Sequence, residues 1–268
     1  MLNDRVYDTN VGKTGTSLDR IRKSFFGLFE TYVNENSPFK AGSKERSFWM
    51  TTGFDIQYFN QAVLFDSNTE VLEELVGNLR DLKVLHSVLL GGSALIHAEI
   101  LRKRGYVVQA AVPLMAYALD PAVDTHRVRS GLEIKKVETE SDLAIAEALA
   151  AEGFGMTPEL AHNYMSPVFG NPKVNRYYLV DDGIPVSTSL FIQNGKFIGC
   201  FDVATPERFQ RKGYGEELMK GMFAIHAAAG AELVVLQATT AGEVLYRRLG
   251  YQVLEHTQNW AMLDKALW

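Results

Sequence analysis

Two strand–helix–Gly-Tyr units stand half a chain apart, and they restrict this sequence to folds that can be built twice. In the first, the buried-type run Val84-Leu85-His86-Ser87-Val88-Leu89-Leu90 leads to a helix ending Leu101-Arg102-Lys103-Arg104-Gly105-Tyr106, then to an apolar stretch from Val107 to Leu119. In the second, Leu233-Val234-Val235-Leu236 precedes a helix through Tyr246-Arg247-Arg248-Leu249-Gly250-Tyr251 and an apolar tail. The Gly-Tyr pairs coincide when the chain is shifted by 145 residues, just over half its length. Such self-similarity points to two copies of one fold, and 268 residues leave room for two domains of ordinary size. The stretch Asp120 to Gly131 is polar, holds Pro and Gly, and shows no sustained period, so residues 121–131 read as a linker between domains 1–120 and 132–268.

The second half has the sharper punctuation. Leu132 to Val137 alternates like a half-buried strand. Thr139-Glu140-Ser141-Asp142 reads as a capped helix start, and Thr157-Pro158-Glu159 opens another helix with Pro at its tolerated first position. Two hairpins follow: Arg176–Val180 and Ile184–Ile192 around Asp182-Gly183, then Asn194-Gly195 leading into Lys196–Val203. Both dipeptides suit two-residue turns. A helix from Gly213 to Ala229, the strand Leu233 to Leu236, a short helix stopped by Gly250, and a tail from Tyr251 to Leu263 that reads as two strands complete the order. Hairpins followed by strand–helix–strand predict an α/β protein with a mixed sheet.

Composition removes several classes of function. The 27 Lys+Arg against 32 Asp+Glu leave a net charge of −5, which argues against nucleic acid as a partner. No run approaches the roughly 20 apolar residues of a membrane span, and Met1-Leu2-Asn3-Asp4-Arg5 lacks the apolar core of a secretory signal, so a cytoplasmic protein is expected. Cys200 is alone, and no Cys/His cluster has metal-ligand spacing. It reads as a small buried residue rather than an acyl-carrying nucleophile, since no His lies close in sequence. His86 and His97 read as packed core residues, and Phe48-Trp49, Phe54, Tyr58-Phe59 and Phe65 as sheet core.

The chemistry concentrates in Val203-Ala204-Thr205-Pro206-Glu207-Arg208-Phe209-Gln210-Arg211-Lys212-Gly213-Tyr214-Gly215-Glu216. A strand ends here and a helix begins at Gly213 and Gly215, where a missing β-carbon lets a ligand approach the backbone. Unpaired amides and the helix dipole make that start a place for a pyrophosphate, with Arg211 and Lys212 beside it. A dinucleotide turn needs a third small residue where Leu218 stands, and a triphosphate loop needs Gly-Lys-Ser/Thr; neither is present.

Gln210-Arg211-Lys212-Gly213-Tyr214-Gly215 resembles the pyrophosphate loop Gln/Arg-x-x-Gly-x-Gly/Ala of the GNAT superfamily of acyl-CoA-dependent N-acyltransferases. Leu245-Tyr246-Arg247-Arg248-Leu249-Gly250-Tyr251 is similar to a second family motif, Leu-Tyr-x-x-Leu-Gly-Phe/Tyr, at the expected distance. The resemblance covers Leu132 to about Leu263, and the whole chain resembles tandem GNAT proteins with a degenerate first copy and a complete second one. It implies an N-acetyltransferase that carries acetyl from acetyl-CoA to a small-molecule amine by direct attack. Val203, Ala204 and Thr205 would then face the pantetheine arm and the thioester carbonyl, Arg211, Lys212, Gly213, Tyr214, Gly215 and Glu216 would hold the pyrophosphate, and Tyr246 would protonate the departing thiolate.

Where family members often carry a general base, this chain has Gly199 and Val234. Asp202 is the nearby candidate, although strict alternation puts it on the face opposite Phe201 and Val203 unless the strand bulges. Thr239 stands where a CoA-contacting Asn is frequent, and Phe154, Met156, Tyr164 and Met165 are candidate acceptor lining. The missing base leaves an alternative, a catalytically silent acyl-CoA sensor or scaffold. The first half has no such loop between Phe65 and Leu79, and Leu101 stands in the place of Tyr246, so that copy is expected to bind no CoA. The oligomeric state is not legible.

Overall fold

The structure, a computed structural model, describes residues 17–33 and 37–262. Met1 to Arg5 and Leu263 therefore lie outside the described residues. Two compact units emerge, and they are cut differently from the contiguous segments 1–120 and 132–268. Among the described residues one holds those from 17 to 115 together with Gln237–Glu243 and 253–262; the other holds Ala116–Leu236 and Val244–Gln252.

In the first unit α1 (Ser17–Phe26) is followed by β1 (Lys40–Lys44), β2 (Ser47–Thr51), β3 (Asn60–Leu64), α2 (Thr69–Asp81), β4 (His86–Leu90), α3 (Ala98–Lys103) and β5 (Val107–Ala118). The first three strands are antiparallel neighbours, and β3 then pairs parallel with β4 from Gln61↔Ser87 to Leu64↔Leu90, the last residues of both strands. Helix α2 starts on Asn68, whose side chain accepts the Glu70 amide. It buries Leu72, Leu75, Val76 and Leu79, a stripe at helical spacing, against Ala62, Leu64, Val88 and Leu90. The strand Gln252–Met262 completes this sheet, pairing antiparallel with β4 from Gln258↔Leu90 to Met262↔His86. The tail is thus one long strand, where its sequence reads as two.

The second unit opens with β6 (Leu132–Lys136), followed by α4 (Glu140–Phe154), α5 (Pro158–Met165), β7 (Val174–Asp181), β8 (Ile184–Asn194), β9 (Phe197–Ala204), α6 (Tyr214–Ala228), β10 (Leu233–Gln237) and α7 (Thr240–Arg248); Gln252–Met262 is β11. Its sheet runs β10-β9-β8-β7-β6. The local signals act as their chemistry demands. Thr139 and Asp142 form a reciprocal capping box, and Thr157 caps α5 with Pro158 in its first turn. Asp182 and Gly183, both at positive φ, make the turn between Asp181 and Ile184. The next turn sits one residue later than its dipeptide suggests. Asn194 pairs with Phe197, so the loop is Gly195-Lys196, with Gly195 at φ +60 as the first central residue. A glycine there is the signature of a II′ turn.

After the strand β6 that opens the second unit, the described residues of the two halves repeat one order: helical segment, three strands, helix, strand, helix, strand. The duplication read from the Gly-Tyr pairs is present in the fold.

Candidate active site

The site begins where β9 leaves β10. Their parallel pairing runs from Leu233↔Phe197 to Val235↔Gly199, while β9 continues to Ala204 on the arm of β8. Between Leu190↔Phe201 and Thr188↔Ala204 the register advances two residues on β8 and three on β9, a β-bulge at Asp202 and Val203. Asp202 takes φ +49 there. The bulge gives Asp202 a direction that strict alternation denies it, and its Oδ2 accepts 2.8 Å from Nη2 of Arg176 on β7. The Arg176 side chain is 7% exposed, and that of Asp202 21%. Removing one partner of a pair this enclosed costs about 3–5 kcal/mol, so Asp202 is fixed in place.

Beyond Ala204 the backbone is organised by short side chains. Ser187 Oγ donates 2.9 Å to the Ala204 carbonyl and lies 2.9 Å from Thr205 Oγ1, and Gln210 Nε2 donates 3.0 Å to the Thr205 carbonyl. The chain then makes a 3₁₀ turn over Glu207–Phe209, passes through Arg211 at φ +64, and enters α6 from Gly213 at φ +83 with no side-chain cap. A cap side chain would occupy the first amides of the helix; glycine leaves them open. A β-carbon added at Gly215 would sit 3.6 Å from both Leu245 Cδ2 and Thr205 Oγ1. The end of β9, the start of α6 and the flank of α7 therefore meet around Gly215. Arg211 and Lys212 are exposed beside this opening, and Lys212 and Arg208 both lie over the Phe209 ring.

The loop is braced from two directions that the sequence does not announce. The Tyr214 hydroxyl donates to Asp181 at the end of β7. From the predicted linker, His126 Nε2 lies 3.0 Å from Glu217 Oε2, Arg129 Nε lies 3.2 Å from Glu217 Oε1, and Arg129 Nη2 donates 3.2 Å to the Lys212 carbonyl. The linker is thus part of the second unit, pinned to the first turn of α6. Its composition resembles any loop, so Arg129 carries no local signal; only the fold reveals it.

Tyr246 on α7 is buried, with its ring centroid 5.4 Å from that of Tyr251. Burial pushes its phenol far above the ordinary tyrosine range, so the hydroxyl keeps its proton at neutral pH. Burial raises the Cys200 thiol in the same way, and its Sγ lies 4.0 Å from Met219 Sδ. A thiol held neutral in an apolar setting is a poor nucleophile. Thr239 caps α7: Oγ1 accepts 3.1 Å from the Gly242 amide, in the segment Gln237–Glu243 that belongs to the first unit. Of the candidate acceptor lining, Tyr164 and Met165 are core residues and Phe154 is exposed.

Residues 174–253 match the family model described as Acetyltransferase (GNAT) domain. The fold is similar to a GCN5-related N-acetyltransferase from Kribbella flavida (TM-score 0.63, 20% identity, 90% of this chain and 96% of that one). It is also similar to one from Sphaerobacter thermophilus (TM-score 0.61, 15% identity, 82% of each chain). A tandem GNAT protein from the clavulanic acid biosynthesis pathway is matched over 96% of this chain and 91% of its own, with TM-score 0.57 and 10% identity. No curated protein sequence matches this one. No helix among the described residues is long and apolar enough to cross a membrane.

Proposed function

We propose that this protein, whose residues 174–253 form a GNAT domain within a fold of two GNAT-like copies, is an N-acetyltransferase that uses acetyl-CoA and a small-molecule amine. The observation that carries the reading is the parting of β9 from β10 directly beside an uncapped helix start at Gly213. These are the two features a long, phosphorylated thioester needs: a slot for its arm and open amides for its diphosphate. The residues fit the group, since Gly213 and Gly215 bring no side chain to the approach and Arg211 and Lys212 supply cations.

Bound there, acetyl-CoA supplies the thioester carbon that a neutral amine attacks directly. The chain does the rest. The bulge at Asp202 and Val203 leaves backbone groups of β9 free of the β8 ladder, available to orient the thioester carbonyl and to stabilise charge on its oxygen. The new N–C bond uses the nitrogen lone pair, and the C–S pair leaves on sulfur. Asp202 takes the proton shed by nitrogen, and Tyr246 gives one to sulfur, so protons and electrons balance. The Tyr246 phenol is fully protonated at neutral pH and so holds a proton to give, while the burial that keeps it there makes it a weaker acid that must donate to a thiolate at close range.

The test is thiol release from acetyl-CoA over a panel of amines. Tyr246→Phe should lower kcat by roughly 10²–10⁴-fold with CoA affinity unchanged. Binding of CoA with no turnover of any amine by the native protein would instead identify an acyl-CoA sensor.

A further inference from the structure

Backbone φ alternates in sign through the loop before α6: +64 at Arg211, negative at Lys212, +83 at Gly213. Alternation of this kind turns successive amides toward one concave side, where an anion can sit. Gly213 is exposed, and its amide has no acceptor among the described residues. Glycine cannot hold such an arrangement alone. Turning the Lys212–Gly213 peptide over reverses the sign of φ at Gly213, and glycine populates both signs about as readily. The turned peptide would offer a carbonyl oxygen where an amide is needed.

Arg129 opposes that turn from the segment before β6. Its Nη2 donates 3.2 Å to the Lys212 carbonyl and lies 3.7 Å from the place a β-carbon on Gly213 would take. The peptide is planar and trans, so a carbonyl held on the Arg129 side leaves the Gly213 N–H pointing the opposite way. The guanidinium is itself anchored. Its Nε lies 3.2 Å from Glu217 Oε1, and the Arg129 amide donates 3.2 Å to Glu217 Oε2. One planar fork therefore joins the loop backbone to the first turn of α6, a geometry that suits arginine.

Charge points the same way. Glu216 and Glu217 both stand in the first turn of α6, where unpaired carboxylates would repel a diphosphate. Glu216 is paired with Lys220 at 2.7 Å and Arg248 at 3.2 Å. Glu217 is paired with Arg129 and with His126, and of these two only Arg129 is a permanent cation.

We propose that Arg129 is a positioning residue for the acyl donor: it locks the Lys212–Gly213 peptide with its N–H presented to the CoA diphosphate, and it offsets the Glu217 carboxylate beside that site. The proposal rests on the acetyl-CoA reading and deepens it, because it assigns part of donor binding to a residue some eighty positions ahead of the loop. Arg129 acts through the backbone and need not touch the ligand.

The experiment measures CoA binding by calorimetry for the native protein and for Arg129→Met, which keeps an unbranched side chain without the charge. Pantetheine, which has the arm but no diphosphate, is the control ligand, followed by NMR titration. Arg129→Met should raise Kd for CoA about tenfold and leave pantetheine binding unchanged. The Gly213 amide resonance should move downfield when CoA binds the native protein, and much less when it binds Arg129→Met. Arg129→Lys, with one compact head in place of a fork, should recover only part of the CoA affinity, and it serves as the readout should Arg129→Met fail to fold. Unchanged CoA affinity in folded Arg129→Met, equal weakening of both ligands, or full recovery by lysine would overturn the proposal. Failure of the native protein to bind CoA would instead break the acetyl-CoA reading itself.

Discussion

The helices α2 and α6 hold the same place in the two halves, each following three strands that come after its copy's first helical segment, yet they begin in opposite ways. Helix α2 starts on Asn68, whose side chain accepts the Glu70 amide, while Asp66 accepts the Asn68 amide. Its strands β3 and β4 stay paired to their last residues, and the Gly91 amide continues the ladder to the Leu64 carbonyl. Phe65 fills the space just beyond, fully buried under the Arg22 guanidinium, which is itself paired with Glu255. Helix α6 starts on bare Gly213, and β9 runs on past its pairing with β10. The order of elements is shared; what differs is a capped against an open helix start and a closed against a parted strand pair. On the proposed reading, ligand capacity in this fold is a property of a few loop residues, which one copy can lose while keeping its core.

The largest expected effect comes from closing the open start. Gly213→Val places a branched side chain at φ +83, costing about 1–3 kcal/mol of stability, and should weaken CoA binding by at least about 100-fold as judged by calorimetry on protein that remains folded. The native protein should saturate at one CoA per chain; saturation at two would show that the capped start at Asn68 is no barrier.

Acid should separate the halves next. His226 on α6 is buried with Nε2 unpartnered, and burial lowers its pKa to about 4. The unfolded chain therefore binds a proton near pH 6.5 that the folded chain refuses until about pH 4. Stability is full above pH 6.5 and declines by roughly 2–3 kcal/mol as pH falls to 4. Burial also lowers His86 in β4, but that ring is held by the Val84 carbonyl and, at 2.6 Å, by the Tyr106 hydroxyl. His226→Phe should flatten the acid side of the stability profile measured by denaturant unfolding; an unchanged slope would remove His226 from the account.

Smaller effects test the cap. Asn68→Ala should cost about 1 kcal/mol in urea unfolding without altering CoA affinity. Smallest in stability is Gly215→Ala, because the added methyl group meets only ordinary contacts with Leu245 and Thr205. A gain of a few tenths to 1 kcal/mol from helix propensity should accompany CoA binding weakened several-fold. A gain in both would show that the ligand does not pass Gly215.

What was legible in the sequence was local. Thr139, Thr157 and Asp182-Gly183 act through neighbours two or three residues away, and they appear where their chemistry puts them. The loop at Gly213 and its partner segment around Tyr246 were visible as spaced motifs. What escaped depends on residues far apart in the chain. The bulge that turns Asp202 is set by the ladder to β8, and its partner Arg176 lies on β7. Arg129 looks like linker until Glu217 and the Lys212 carbonyl are placed beside it. The one-residue displacement of the Gly195-Lys196 turn follows from register, which a dipeptide cannot fix.

The placement of Gln252–Met262 beside β4 has a consequence for biosynthesis. The first unit is translated early but cannot close its sheet until a strand some 170 residues downstream of Leu90 has left the ribosome. At roughly 5–20 residues per second, that means a wait of about ten to thirty seconds with one edge of β4 unprotected. The half made first is the half finished last, and cells producing this protein have reason to keep a chaperone close to the nascent chain.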